Sequence, residues 1–164
     1  GGFAHLQKGH SISYADFDSD GDLDVYAVMG GAYAGDPAYN ALFENPGFQN
    51  HWLCVELVGT ETNRSAIGAR LRAVFTEDGD ERSVYRHVNS GGSFGANPLR
   101  QTIGIGKATK VDRLEIFWPT TGKTQTFSSL IADRHLLITE GSAEIIEQKL
   151  RRTVIGGDVI GGDK

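Results

Sequence analysis

Three stretches of this chain alternate apolar and polar residues so regularly that they suit a pleated strand and little else. In 51–58, Leu53, Val55 and Leu57 fall on one face and Trp52, Cys54, Glu56 and Val58 on the other. In 68–75, Ala69, Leu71, Ala73 and Phe75 alternate with outward Arg70 and Arg72, and in 111–118 Leu114, Ile116 and Trp118 share a face. Side chains of period two line opposite faces of a strand, and one such face can be buried. Turn signals bound the runs: Asn45-Pro46-Gly47, then Glu77-Asp78-Gly79-Asp80, then Pro119. Asp-Gly tolerates the positive φ of a hairpin, and proline cannot donate to a central ladder. Weaker runs at 11–15, 23–29, 41–44, 81–88, 124–127 and 135–139 complete the set. Strands recurring this often, with turns between them, predict an all-β fold: an antiparallel β-sandwich or barrel-like domain. Helical spacing occurs once, where Ser142 could cap Glu144, Ile145, Ile146, Glu147, Lys149 and Leu150, with Arg151 and Arg152 late. Acid early and base late suit the helix dipole, so a short C-terminal helix is expected.

One stretch resists a strand. Asp16, Asp18, Asp20, Asp22 and Asp24 stand at every second position, with Gly21 sixth in the series. A strand would place all five carboxylates on one face, where like charges repel. A curled backbone lets them converge on a hard cation instead. Calcium takes six to eight oxygens at about 2.3–2.6 Å, and a glycine at the sixth place of such a loop makes the sharp turn. Asp16, Asp18 and Asp20 would each offer an oxygen, Asp22 its carbonyl with the side chain outward, and Asp24 would close the site directly or through water. The twelfth place, where a helix-flanked calcium loop has a bidentate Glu, holds Ala27. The expected loop therefore joins two strands, and its affinity falls in the weak range of about 10⁻⁴–10⁻³ M.

The remaining chemistry is sparse. Acidic residues number 21 against 16 basic, for a net charge of −5, and no basic excess points to nucleic acid. No apolar run approaches the roughly 18 residues of a membrane span. The start, Gly-Gly-Phe-Ala-His, has no signal segment and no initiator Met, as in a chain cut or processed from something longer. Phe3, His5 and Leu6 suit an edge strand or loose lead-in, and His10, a poor calcium ligand, reads as structural. Cys54 has no partner for a disulfide and reads as a small apolar filler. The glycine-rich segments 90–95 and 104–109 lack phosphate-loop spacing and read as turn material. The tail repeats Val-Ile-Gly-Gly-Asp twice, which suits a flexible terminus or an added strand. An enzymatic alternative, hydrolytic or acting on a sugar- or polyketide-like substrate, would draw on His87 with Ser90 and Ser93, plus Asp80 or Asp112. No spacing brings these together, so no catalytic residue is assigned and whether the chain is an enzyme stays open, leaning to no.

Two families are resembled. Residues 16–24, with Leu42-Phe43-Glu44-Asn45 behind them, resemble a single FG-GAP/VCBS-type repeat. Asn63-Arg64-Ser65-Ala66-Ile67-Gly68-Ala69-Arg70, Ser90-Gly91-Gly92-Ser93-Phe94, Leu99-Arg100, Gly104-Ile105-Gly106 and the run from Val111 to Pro119 resemble an ASPIC/UnbV domain. The implied organisation is a repeat remnant with its calcium loop over 1–48, an ASPIC/UnbV-like β domain over 49–141, and a helix and Gly-rich tail over 142–164. The resemblance implies a calcium-stabilised module, secreted, periplasmic or on the cell surface, acting in adhesion or matrix interactions, and the leading expectation is a non-enzymatic, calcium-binding module with a protein or glycan ligand. Trp52, Tyr33, Tyr39 and the outward arginines are the candidate contacts. Propellers need about four to eight blades, so one repeat implies either an architectural fragment of a larger propeller or a homo-oligomer paired through an exposed sheet edge.

Overall fold

The computed structural model describes residues 8–31, 34, 35, 37–92, 94 and 96–155. The expectations for Phe3, His5, Leu6, Tyr33, Ser93 and the tail from Gly156 onward lie outside these residues. Eleven strands follow in chain order among the described residues: β1 (Gly9–Ala15), β2 (Asp24–Met29), β3 (Ala41–Phe43), β4 (His51–Val58), β5 (Arg70–Glu77), β6 (Asp80–His87), β7 (Gln101–Gly106), β8 (Lys110–Phe117), β9 (Thr124–Ile131), β10 (Arg134–Thr139) and β11 (Ile145–Gln148). They form a three-stranded sheet in the order β1-β2-β3 and two four-stranded sheets, β11-β10-β4-β7 and β6-β5-β8-β9.

The alternation places the core. Leu53, Val55 and Leu57 from β4 meet Leu71, Ala73 and Phe75 from β5 and Leu114 and Ile116 from β8, all buried in one cluster with Trp118. The two four-stranded sheets thus face each other as a sandwich, while Arg70 and Arg72 turn outward. Between β5 and β6, Asp78 (φ 51°) and Gly79 (φ 92°) take the left-handed positions expected of the Asp-Gly turn.

Three expectations are corrected. The C-terminal helix is replaced by strand β11, and no helix is found among the described residues. Ile145 pairs with Ile138 and Gln148 with His135, so this segment completes the ladder of β10. Adjacent β-branched Ile145 and Ile146 suit a strand, and Ile145 packs against the core cluster. Ser142 does accept the Glu144 N–H at 3.1 Å, but within a turn. Secondly, the sandwich is not purely antiparallel: β10 runs parallel to β4, from Arg134 opposite Leu53 to Thr139 opposite Val58. After β4 the chain builds all four strands of the second sheet, and β7, before returning as β10, the long crossover that parallel pairing needs. Thirdly, Gly104-Ile105-Gly106 belongs to β7, whose Ile103 and Ile105 are fully buried. The two glycines hid a two-residue alternation. Among the described residues no helix is long and apolar enough to cross a membrane.

The small sheet lies on the outer face of β4. A side chain at Gly21 would overlap the Trp52 indole, and the Tyr14 N–H donates to Asn97 Oδ1 at 3.1 Å. The acidic turn is therefore seated against the sandwich.

Candidate metal centre

Between β1 and β2 the chain reverses over 16–23, and the aspartates themselves make the turn. Asp16 Oδ1 accepts the Asp20 N–H at 3.0 Å and its Oδ2 the Gly21 N–H at 3.2 Å. Asp18 Oδ1 also accepts from Asp20 N–H, at 3.2 Å, and Asp20 Oδ1 accepts from Asp22 N–H at 3.1 Å. Asx contacts of this kind replace ladder bonds where the chain curls. Gly21 at φ 102° occupies a conformation that a Cβ resists.

The curl gathers three of the five carboxylates. One oxygen each from Asp16, Asp18 and Asp20 lies within 4.8 Å of the others, and Asp18 is buried. Oxygens on opposite sides of a calcium ion at about 2.4 Å stand about 4.8 Å apart, so oxygens within that limit could share one ion.

Asp24 has a different place. It is 1% exposed; its Oδ2 accepts the Phe17 N–H at 3.0 Å and its Oδ1 the Asn45 N–H at 2.9 Å. It ties the two ends of the turn to the segment after β3. Asp22 corrects an expectation, since its side chain does not simply point outward. Its Oδ1 is sealed from solvent with no hydrogen-bond partner among the described residues. Burial, then the charges of Asp20, Asp24, Asp18 and Asp16, push its carboxyl up to about 6. The Asp16 carboxyl is raised too, by burial and less by the Asp18 charge, against lowering by the N–H groups of Asp20, Gly21 and Ser19. The turn is short of positive charge.

One cation already approaches. Arg152 Nη2 lies 3.1 Å from Asp20 Oδ2, the Thr153 N–H donates to the Asp18 carbonyl at 2.8 Å, and the Thr153 hydroxyl to the Phe17 carbonyl at 3.4 Å. No spacing in the sequence announces this strap, because 132 residues separate Arg152 from Asp20.

Other candidates are scattered. Trp52 packs between Gly21 and the His135 ring, 4.8 Å away between centroids. Arg70 lies over the Phe117 ring and Arg72 over Tyr85, while Tyr39 is 98% exposed. Cys54 is buried, and burial raises its thiol above the usual range, in keeping with a filler. His10 is exposed on β1. For the enzymatic set, Asp80 and His87 begin and end β6, about 23 Å apart at strand rise. Asp112 lies beside Arg113, which pairs with Val74 of β5, whereas His87 pairs with Arg70 at the other end of that strand. Neither aspartate reaches His87.

Sequence reasoning also passed over Glu140. Its Oε2 accepts the N–H groups of Thr60, Glu61 and Thr62 at 3.0, 3.0 and 2.7 Å. Its Oε1 accepts the hydroxyls of Thr62 at 3.0 Å and Thr121 at 3.4 Å. Burial works to raise this carboxyl, but the backbone and hydroxyl donors outweigh it and hold the group below the usual range. A single acid after a strand gives no sign of this in sequence.

No curated protein matches the chain. The family model described as "ASPIC and UnbV" matches residues 59–145, which takes in the second sheet, β7, β10 and the Glu140 anchor. The chain belongs to the ASPIC/UnbV family.

Proposed function

We propose that the chain is a calcium-binding, non-enzymatic β module working outside the cytoplasm, in the extracellular or periplasmic space, in adhesion to a protein or glycan. The observation that carries the reading is the convergence of Asp16, Asp18 and Asp20 within 4.8 Å on a strand-to-strand turn. Calcium supplies the positive charge that the buried carboxylates lack, and so fixes the turn and the sheet it joins. Asp22 contributes through its carbonyl, and Asp24 holds the ends of the loop with its remaining lone pairs turned to the ion or its water. Titration of the full chain with calcium is expected to give a Kd of about 10⁻⁴–10⁻³ M, and chelation to lower the Tm by a few degrees. Asp16→Ala and Asp20→Ala abolish that difference. A wild-type melting curve indifferent to chelator at millimolar calcium would refute the proposal.

A second reading has its own support. Propeller blades carry four strands, and among the described residues the sheet β1-β2-β3 carries three, with β1 and β3 at its edges. In this reading 1–48 is an FG-GAP/VCBS-type repeat remnant that neighbouring blades, or a second copy, complete by edge pairing. Sedimentation separates the two: a concentration-dependent dimer, lost when proline replaces Ser11 or Ser13 in β1, favours edge pairing, and a monomer that binds a glycan array favours the isolated module.

A further inference from the structure

A small cleft lies between the acidic-turn sheet and the sandwich, with Asp16 of the turn in its wall. Its volume is about 60 Å³, and Asp16, Cys54, Arg86, Arg100, Thr102 and His135 line it. His135 is 7% exposed, yet neither Nδ1 nor Nε2 has a hydrogen-bond partner among the described residues. Trp52 covers the ring, with centroids 4.8 Å apart. Two unsatisfied nitrogens in a buried polar side chain are rare and costly, which calls for an occupant. Burial, then the Arg100 charge, lowers the His135 pKa, so its imidazole is neutral, with one donor and one acceptor nitrogen.

The lining carries two cationic side chains, Arg86 and Arg100, and one acid, Asp16. Arg100 makes no hydrogen bond or ion pair with another described residue, and its charge reaches both Cys54 and His135. Arg86 stands nearby, with Nε donating to the Thr102 carbonyl at 3.0 Å. Against these two cations stands Asp16, whose oxygens already accept the N–H groups of Asp20 and Gly21. A bound metal is disfavoured here, because the one group of metal-ligating atoms that converges among the described residues is Asp16, Asp18 and Asp20. A water needs roughly 10–15 Å³ of such space, so the cleft has room for about four waters or for one small oxyanion.

We infer that this cleft is a site for a small oxyanion, a carboxylate or phosphate, held by Arg100 and by the N–H of His135. Arg100 supplies charge-assisted donors on one side, and the imidazole N–H, fixed in direction by Trp52, supplies one on the other. Because the walls belong to both the small sheet and the sandwich, the anion also bridges them.

The test is calorimetric titration of the full chain at constant ionic strength in chloride, with inorganic phosphate in one arm and acetate in the other. ¹⁵N spectra of the histidine side chains accompany each arm. Saturable one-site binding is expected in at least one arm, with the His135 resonances moving, and the stronger arm identifies the anion. Arg100→Gln is expected to weaken binding about tenfold, while Arg113→Gln, at a residue that does not line the cleft, leaves it unchanged. No saturable heat in either arm with unmoved His135 resonances means that water alone fills the cleft and overturns the inference. Undiminished affinity in a folded Arg100→Gln overturns it as well, and if that variant does not fold, the wild-type resonances decide.

Discussion

The sandwich and the acidic-turn sheet are both built of paired strands, but different forces hold them. Between the two four-stranded sheets runs a continuous apolar cluster, with Leu53, Leu71, Leu114 and Ile138 essentially inaccessible to water. In the small sheet Ala27 and Met29 are the buried hydrophobic residues among those described, while Ile12, Tyr14 and Leu42 stay substantially exposed. Two acids make the same contrast. Glu140 is buried with donors on both oxygens, and its charge is favoured; Asp22 has a sealed oxygen with no donor, and its charge is disfavoured. Burial alone thus decides neither case. A buried carboxylate is an anchor when the fold supplies N–H groups and a liability until a cation or proton arrives. The fold supplies donors to Glu140, and among the described residues it supplies none to Asp22 Oδ1.

The sharpest way to separate the regions is to remove equal apolar volume from each. Leu114→Ala is expected to cost about 2–5 kcal/mol of global stability, the range for truncating a buried leucine. Ile12→Ala, at a position 50% exposed, is expected to stay within about 0.5 kcal/mol. Chemical denaturation of both variants reads the difference. Equal losses would mean that the small sheet shares the sandwich's core, and the contrast would fail.

Next in size is the Glu140 anchor. Glu140→Gln keeps the shape but turns an amide NH₂ toward donors, with an expected cost of about 1.5–3 kcal/mol at neutral pH. The sign with pH follows from linkage. The folded pKa is depressed below 4.5, so the stabilisation is full above that value and lost as pH falls through the folded pKa. The gap between wild type and Glu140→Gln therefore closes only below about pH 4.5 in a series of thermal melts. A gap that stays constant into acid would mean the carboxylate charge contributes nothing.

These cases also mark what the sequence could disclose. β4, β5 and β8 were legible because each buries one face, so the period of two is written directly in their residues. The acidic turn was legible as a place, and one oxygen each from Asp16, Asp18 and Asp20 lies within 4.8 Å of the others. What local pattern could not reveal depends on distant partners. β11 reads as a helix until β10 offers it a ladder, and β10 lies parallel to β4 through a crossover that no short window contains. The Glu140 donors come from 60–62, the strap from Arg152 and Thr153, and the cleft from three sheets. Asp22 was misplaced for a related reason: the loop rule orients its side chain relative to the ion, while packing against the rest of the protein closes over its Oδ1.

The smallest expected effect on global stability tests the joint between the two regions. Gly21 has φ 102°, a conformation L side chains rarely adopt, and a Cβ there would overlap the Trp52 indole. The indole cannot simply retreat, since the His135 ring lies against it. Gly21→Ala is therefore expected to loosen the small sheet from β4 while the apolar cluster stays intact. Hydrogen exchange should show reduced protection across β1 and β2 and unchanged protection across β5 and β8. Tryptophan emission should shift part-way to the red, because Trp52 gains water while Trp118, 1% exposed, does not. The main thermal transition should move by less than about 2 °C, because local opening of a weakly buried unit need not carry the global unfolding free energy. If Gly21→Ala instead lowers the sandwich transition as far as Leu114→Ala does, the two regions unfold as one cooperative body, and their different chemistry divides nothing.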